Sequence, residues 1–193
     1  MKKFIIFPTL IHECENKNHS IIKNELIDEC KSLSCKVKKG GNNWQSETFN
    51  TNGTYNLFNN KKFNKLNDWV KKQIIEYGNS CGFKNKSIDT SESWFNIYKK
   101  HDYQETHFHG FNDISAVYYL SVPKNSGDIV FYSFENNEVK DSFEENNPFT
   151  WKTFNIKPKA GKLLIFKSNL KHGVKQSKSN QPKISLAYNF TLK

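Results

Sequence analysis

From Ile88 onward the chain is cut into short apolar and aromatic runs by turn residues, and this pattern leaves few folds open. The runs cover residues 93–99, 114–122, 128–134, 151–156, 162–167 and 183–191. Turn signals such as Pro123-Lys124-Asn125-Ser126-Gly127-Asp128 and Pro158-Lys159-Ala160-Gly161 separate them. Runs of this length, rich in β-branched and aromatic residues and bounded by Gly, Pro and Asn, predict strands. The first half reads differently. Ile21, Ile22, Leu26, Ile27, Cys30 and Leu33 form a helical stripe over 20–34, with Asn18 or Ser20 as cap. Phe63, Leu66, Trp69, Val70, Ile74 and Tyr77 form a second stripe over about 61–78. Residues 3–7 read as a strand ending at Pro8, and 39–60 as loop and short hairpin. The polar, aperiodic stretch 135–150 reads as a loop near the strand ends. Helices first and about eight strands after predict an α+β domain. Its strands would build a double-sheet jelly roll, with the N-terminal helices packed on one sheet. One domain would span 1–193, with 1–87 as helical support and 88–193 as the core.

Composition sets limits on partners. The formal charge is +10, yet none of the 29 basic residues is arginine. Base readout and bidentate phosphate contacts favour arginine. Lys, Asn, Ile and Phe also share A/T-rich codons, so coding bias accounts for the charge and argues against a nucleic-acid partner. The 16 Phe, 8 Tyr and 4 Trp supply the core area that 36% hydrophobic residues alone would leave thin. Cys14, Cys30, Cys35 and Cys81 form no Cys-x-x-Cys pair and read as cytosolic thiols. The apolar run after Met1 is too short for a signal peptide, and no stretch reaches membrane-spanning length. A cytoplasmic protein without a membrane partner is expected.

Three of the six histidines fall in two short segments beside predicted strands: His107-Phe108-His109, and His172 in Asn169-Leu170-Lys171-His172-Gly173-Val174. Two histidines separated by one residue on a strand point to the same face. A third on a neighbouring strand closes a three-ligand face and leaves other metal positions open. A closed structural zinc would want a fourth ligand, usually cysteine, and the cysteines lie elsewhere. Lys183 opens an alternating strand on which Lys183, Ser185, Ala187 and Asn189 share one face. A lysine on such a face, if buried, needs an anionic partner, and a ligand carboxylate would serve. At the strand end it could equally be solvated.

The C-terminal half resembles the Fe(II)- and 2-oxoglutarate-dependent oxygenases, whose core is a double-stranded β-helix. It is most similar to a bacterial and phage group distantly related to prolyl hydroxylases. Trp94-Phe95-Asn96-Ile97-Tyr98, the two-histidine pair, Ser115-Ala116-Val117-Tyr118-Tyr119-Leu120, Gly127-Asp128-Ile129-Val130-Phe131, Gly161-Lys162-Leu163-Leu164-Ile165-Phe166 and the His172 segment followed by Lys183 carry the resemblance. It implies a hydroxylase with Fe(II) as metal, and 2-oxoglutarate and dioxygen as cosubstrates. It puts His107, His109 and His172 in the metal-ligand and catalytic positions. Lys183 would receive the distal carboxylate of 2-oxoglutarate, with Tyr119 and Tyr98 lining that pocket and Asn96 and Asn189 lining the site.

Two departures from the wider pattern stand out. His109 occupies a position that is usually Asp or Glu, which leaves the centre one unit more positive. Asp113 or Asp102 could supply a carboxylate only by a loop shift. The usual basic residue is arginine, and Lys183 keeps its charge but loses the fork. Two other readings share the scaffold: a three-histidine cupin-like dioxygenase independent of 2-oxoglutarate, and a non-catalytic jelly-roll binding module. The primary substrate would be a protein side chain or a small molecule. Trp44, Trp94 and Trp151 could border its cleft.

Overall fold

A computed structural model describes residues 1–41, 44–83, 87–134 and 147–193. Among these, ten strands form two antiparallel sheets. In chain order, β1 is Ile11–Glu15, β2 Phe49–Asn50, β3 Ile88–Tyr98, β4 Gln104–His107 and β5 Ile114–Ser121. Then β6 is Ile129–Tyr132, β7 Thr153–Ile156, β8 Lys162–Lys167, β9 His172–Val174 and β10 Lys183–Leu192. The larger sheet runs β1-β8-β5-β10-β3-β2, and the smaller runs β4-β9-β6-β7. This is the expected jelly roll. Helices α1 (His19–Ser34) and α2 (Asn64–Ser80) also fall where the apolar stripes predicted them.

Period-two alternation gives the larger sheet two distinct faces. Phe95 and Ile97 of β3, Ile114, Tyr118 and Leu120 of β5, and Leu163 and Ile165 of β8 point outward. Ile184, Leu186, Tyr188 and Phe190 of β10 do the same, and all meet one core with Leu26 and Cys30 of α1 and Leu66, Val70, Ile74 and Tyr77 of α2. Polar hooks fix the helices on that face. Tyr188 Oη donates to Asn67 Oδ1 at 3.2 Å, and His19 Nδ1 meets Tyr118 Oη at 2.8 Å. The opposite face turns toward the smaller sheet. There the alternate residues Trp94, Asn96, Tyr98, Tyr119, Lys183 and Asn189 line a cavity between the sheets.

The structure moves two expectations. Residues 3–7 form no strand: they lie exposed and unpaired with either sheet, with Phe7 at φ +55. The first strand begins at Ile11, beyond Pro8, and pairs with β8 from Ile11↔Phe166 to Glu15↔Lys162. The N-terminal half therefore gives the larger sheet both its edges, β1 and β2, as well as the helices. Most of the 135–150 loop lies outside the described residues, and only its end, 147–150, is seen, as a turn.

Candidate metal centre

The smaller sheet places two of the three histidines. Across the β4–β9 ladder His107 stands opposite His172, and across β6–β9 Phe131 stands opposite His172. The His107 and His172 ring centroids are 4.3 Å apart. His172 also meets the edges of the Phe166 ring at 4.7 Å. β4 ends at His107, so His109 lies two residues beyond the strand. Its backbone N–H donates to the Ser168 carbonyl at 2.8 Å, which brings the ring back to 5.0 Å from His107 and 5.4 Å from His172. One ligand atom from each histidine lies within 4.8 Å of the others, a set that can hold a metal ion.

Hydrogen bonds on the far side of two rings decide which nitrogen faces inward. His107 Nδ1 donates to the Glu105 carbonyl at 2.7 Å, and His172 Nδ1 donates to the Leu170 carbonyl at 2.8 Å. With the proton on Nδ1, each presents an Nε2 lone pair, the usual arrangement behind a metal-bound imidazole. Burial keeps the rings uncharged. Desolvation, with a smaller push from His107, lowers the pKa of His172 to about 3 and of His109 to about 4. His107 is lowered for the same reason. Neutral imidazoles gathered in one cavity are a donor set that fits a divalent transition metal.

The carboxylates weighed as substitutes are committed elsewhere. Asp102 Oδ2 accepts from the Lys99 backbone N–H at 2.7 Å, and Asp113 Oδ2 from the Leu192 N–H at 2.8 Å. Neither belongs to the metal-competent group found among the described residues.

Lys183 is buried, at 1% exposure. Its Nζ donates to the Gly127 carbonyl at 3.1 Å and stands 4.4 Å from the centre of the Tyr98 ring. Among the described residues no carboxylate pairs with it. Desolvation lowers its pKa to about 7 against a weaker opposing pull from Asp128. Gly127 is required where it is: its φ is +81, and a Cβ would sit 2.0 Å from the Lys175 carbonyl oxygen. Tyr98 and Tyr119 are buried beside the lysine in the cavity, and burial pushes both phenols well above the usual range, so they remain O–H donors.

Some lining residues were not singled out in the sequence. Gln104 precedes His107 by three residues, and its Oε1 is buried without a partner among the described residues, as are Asn96 Oδ1 and Trp94 Nε1. Glu105 ties the Trp44 loop to the site, since its carboxylate accepts from the backbone N–H groups of Gln45 and of Ser46. A carboxylate two residues before a metal-type histidine was the available signal, but its partners are sixty residues away. Trp44 and Trp94 line the cavity, whereas Trp151 lies outside it and stacks on Phe154 at 4.8 Å.

A family model described as "Putative 2OG-Fe(II) oxygenase" matches residues 92–189, about half of the chain. No curated protein matches by sequence. Among solved structures, a Pseudomonas putida prolyl-4-hydroxylase is similar at 14% identity, covering 94% of this chain and 92% of its own, with a TM-score of 0.66. A Trichoplax adhaerens prolyl hydroxylase, solved with a hypoxia inducible factor peptide fragment, has a TM-score of 0.69 at 15% identity over 94% and 83%. HygX from Streptomyces hygroscopicus, solved with nickel, 2-oxoglutarate and hygromycin B, has a TM-score of 0.65 at 11% identity over 95% and 83%. Among the described residues no helix is long and apolar enough to cross a membrane.

Proposed function

This chain belongs to the 2OG-Fe(II) oxygenase family, and we propose that His107, His109 and His172 hold its iron while Lys183 receives its 2-oxoglutarate. It is a 2-oxoglutarate-dependent oxygenase. When bound, Fe(II) and 2-oxoglutarate reduce dioxygen, with release of succinate and CO2, and supply the oxidising power for hydroxylation of a C–H bond. What the chain itself contributes is placement and exclusion of water.

The observation that carries this reading is a pairing along one sheet face. Lys183 and Asn189 lie on the inner face of β10; Lys183 is buried with no carboxylate partner among the described residues, and Asn189 reaches His109. A dianion laid along that face puts its distal carboxylate on Lys183 and its chelating end near the histidines. The ammonium gains the partner its burial demands. Tyr119 and Tyr98, held as phenols, donate hydrogen bonds or line the pocket, and Asn96 lies between Lys183 and Trp94. The primary substrate, a protein side chain or a small molecule, enters on the side of Trp44 and Trp94.

Anaerobic addition of Fe(II) and 2-oxoglutarate tests this. A weak visible charge-transfer band and oxygen-dependent succinate formation are expected, both lost on Lys183→Ala. Activity that survives Lys183→Ala would favour a three-histidine dioxygenase that needs no 2-oxoglutarate.

A further inference from the structure

The three histidines do not present the same face to the metal position. His107 and His172 carry Nδ1–H on backbone carbonyls and turn lone pairs inward. His109 Nδ1 instead faces an amide nitrogen, Asn189 Nδ2, at 3.3 Å. That amide is held from both ends. Its Nδ2 donates to Glu92 Oε2 at 3.0 Å, and its Oδ1 accepts from Ser115 Oγ at 2.8 Å. A carboxylate only accepts, so an amide turned over would set oxygen against oxygen at Glu92. The second Nδ2 hydrogen therefore points at His109, and His109 Nδ1 must accept. A neutral imidazole accepting at Nδ1 carries its hydrogen on Nε2.

We propose that Glu92, acting through Asn189, holds His109 as the Nε2–H tautomer in the metal-free protein and so sets how readily the third imidazole joins the metal. The inference rests on the reading of the three histidines as a metal centre. For His109 to ligate through Nε2, that proton leaves to solvent and another arrives at Nδ1, with no net release. Nδ1–H then needs an acceptor, and the Asn189 amide must turn over to offer Oδ1. The serines tolerate the turn: Ser115 Oγ meets Ser168 Oγ at 2.8 Å, so Ser115 can redirect its hydrogen there and accept from Nδ2. Glu92 is the member of the network that loses its bond. Ligation through Nδ1 would also require Asn189 to withdraw its N–H, so Glu92 opposes either route. Glu92 and Asn189 are thus positioning residues, and they face each other across the β3–β10 ladder.

Long-range proton–nitrogen correlation spectra of the ¹⁵N-labelled, metal-free protein read the tautomers directly. His107 and His172 are expected as Nδ1–H and His109 as Nε2–H. Glu92 is exposed, so Glu92→Ala should fold. It should shift His109 toward Nδ1–H and tighten Co(II) binding by about tenfold, the lower end of what outer-shell partners command. Asn189→Asp, which gives His109 an acceptor, should act in the same direction. A merely structural role predicts unchanged tautomers and weaker binding. The inference is overturned if wild-type His109 is already Nδ1–H. It is overturned alone if wild type and Glu92→Ala bind Co(II) equally. Wild-type protein that binds no Co(II) overturns the metal reading, and this inference with it.

Discussion

His107 and His172 stand directly opposite each other across the β4–β9 ladder, with ring centroids 4.3 Å apart and each Nδ1 donating to the backbone carbonyl two residues earlier. The same local turn of chain orients both rings, so neither needs a distant side chain to select its tautomer. Removing one imidazole of this pair leaves the other pointing at an incomplete site. His172→Ala should therefore weaken Co(II) binding by more than about 100-fold, beyond the 10- to 100-fold range of outer-shell partners. Titration of the cobalt absorption bands checks this, with circular dichroism to confirm the fold.

Acid should destabilise the metal-free protein through these rings. The unfolded chain takes up protons on its histidines below pH 6.5, whereas the folded protein resists until about pH 4 at His109 and about pH 3 at His172. The unfolded state binds more protons in that window, so stability falls as pH drops through it. At pH 5 the loss is about 2 kcal/mol per histidine relative to pH 7.5. Urea denaturation at the two pH values measures it, and His109→Gln with His172→Gln should flatten the difference.

The turn that holds the lysine is open to a separate test. Gly127→Ala puts a methyl group against the Lys175 carbonyl at a φ of +81. A cost of at least about 2 kcal/mol follows from backbone strain and displacement, which lowers Tm by roughly 4–8 °C in a domain of this size. Because the Gly127 carbonyl is the acceptor for Lys183 Nζ, affinity for 2-oxoglutarate should fall as well. A thermal melt beside a cosubstrate titration separates the two effects.

How legible these features were depends on how local their causes are. The alternation in Lys183–Leu192 exposed both faces of β10, and the structure keeps Lys183, Ser185, Ala187 and Asn189 on the cavity side. The helices were legible because Leu66, Val70, Ile74 and Tyr77 repeat at helical spacing. β4 and β9 were not, since Gln104–His107 and His172–Val174 are short, polar or glycine-bearing and become strands only through their partners, β9 for β4 and both β4 and β6 for β9. β1, Ile11–Glu15, carries two glutamates and a histidine, and its strand character comes from the open edge of β8. The tautomer of His109 depends on Asn189, eighty residues later, and on Glu92 across a ladder. No spacing rule reaches that far.

Lys183 provides the sharpest separation of stability from function. Its pKa is about 7 in the folded protein, against an ordinary lysine value of 10.5 when unfolded. Between those pH values the unfolded chain holds a proton that the folded one has released, so stability rises with pH across the window and the full penalty is present below about pH 7. Lys183→Met removes the ammonium and keeps the stem's bulk. Metal-free protein carrying it should be more stable at pH 6.5 by up to roughly 3–5 kcal/mol, and should lose the rise toward pH 10. The same substitution should weaken 2-oxoglutarate binding by about 30- to 5000-fold, the range for losing one partner of a buried charge pair. Cosubstrate binding to the wild type should also take up a proton near pH 8, because a carboxylate on Nζ restores the charged form. Calorimetric titration in buffers of different ionisation enthalpy counts that proton. Uptake in wild type and none in Lys183→Met places the cosubstrate carboxylate on this lysine; equal counts in both place it elsewhere.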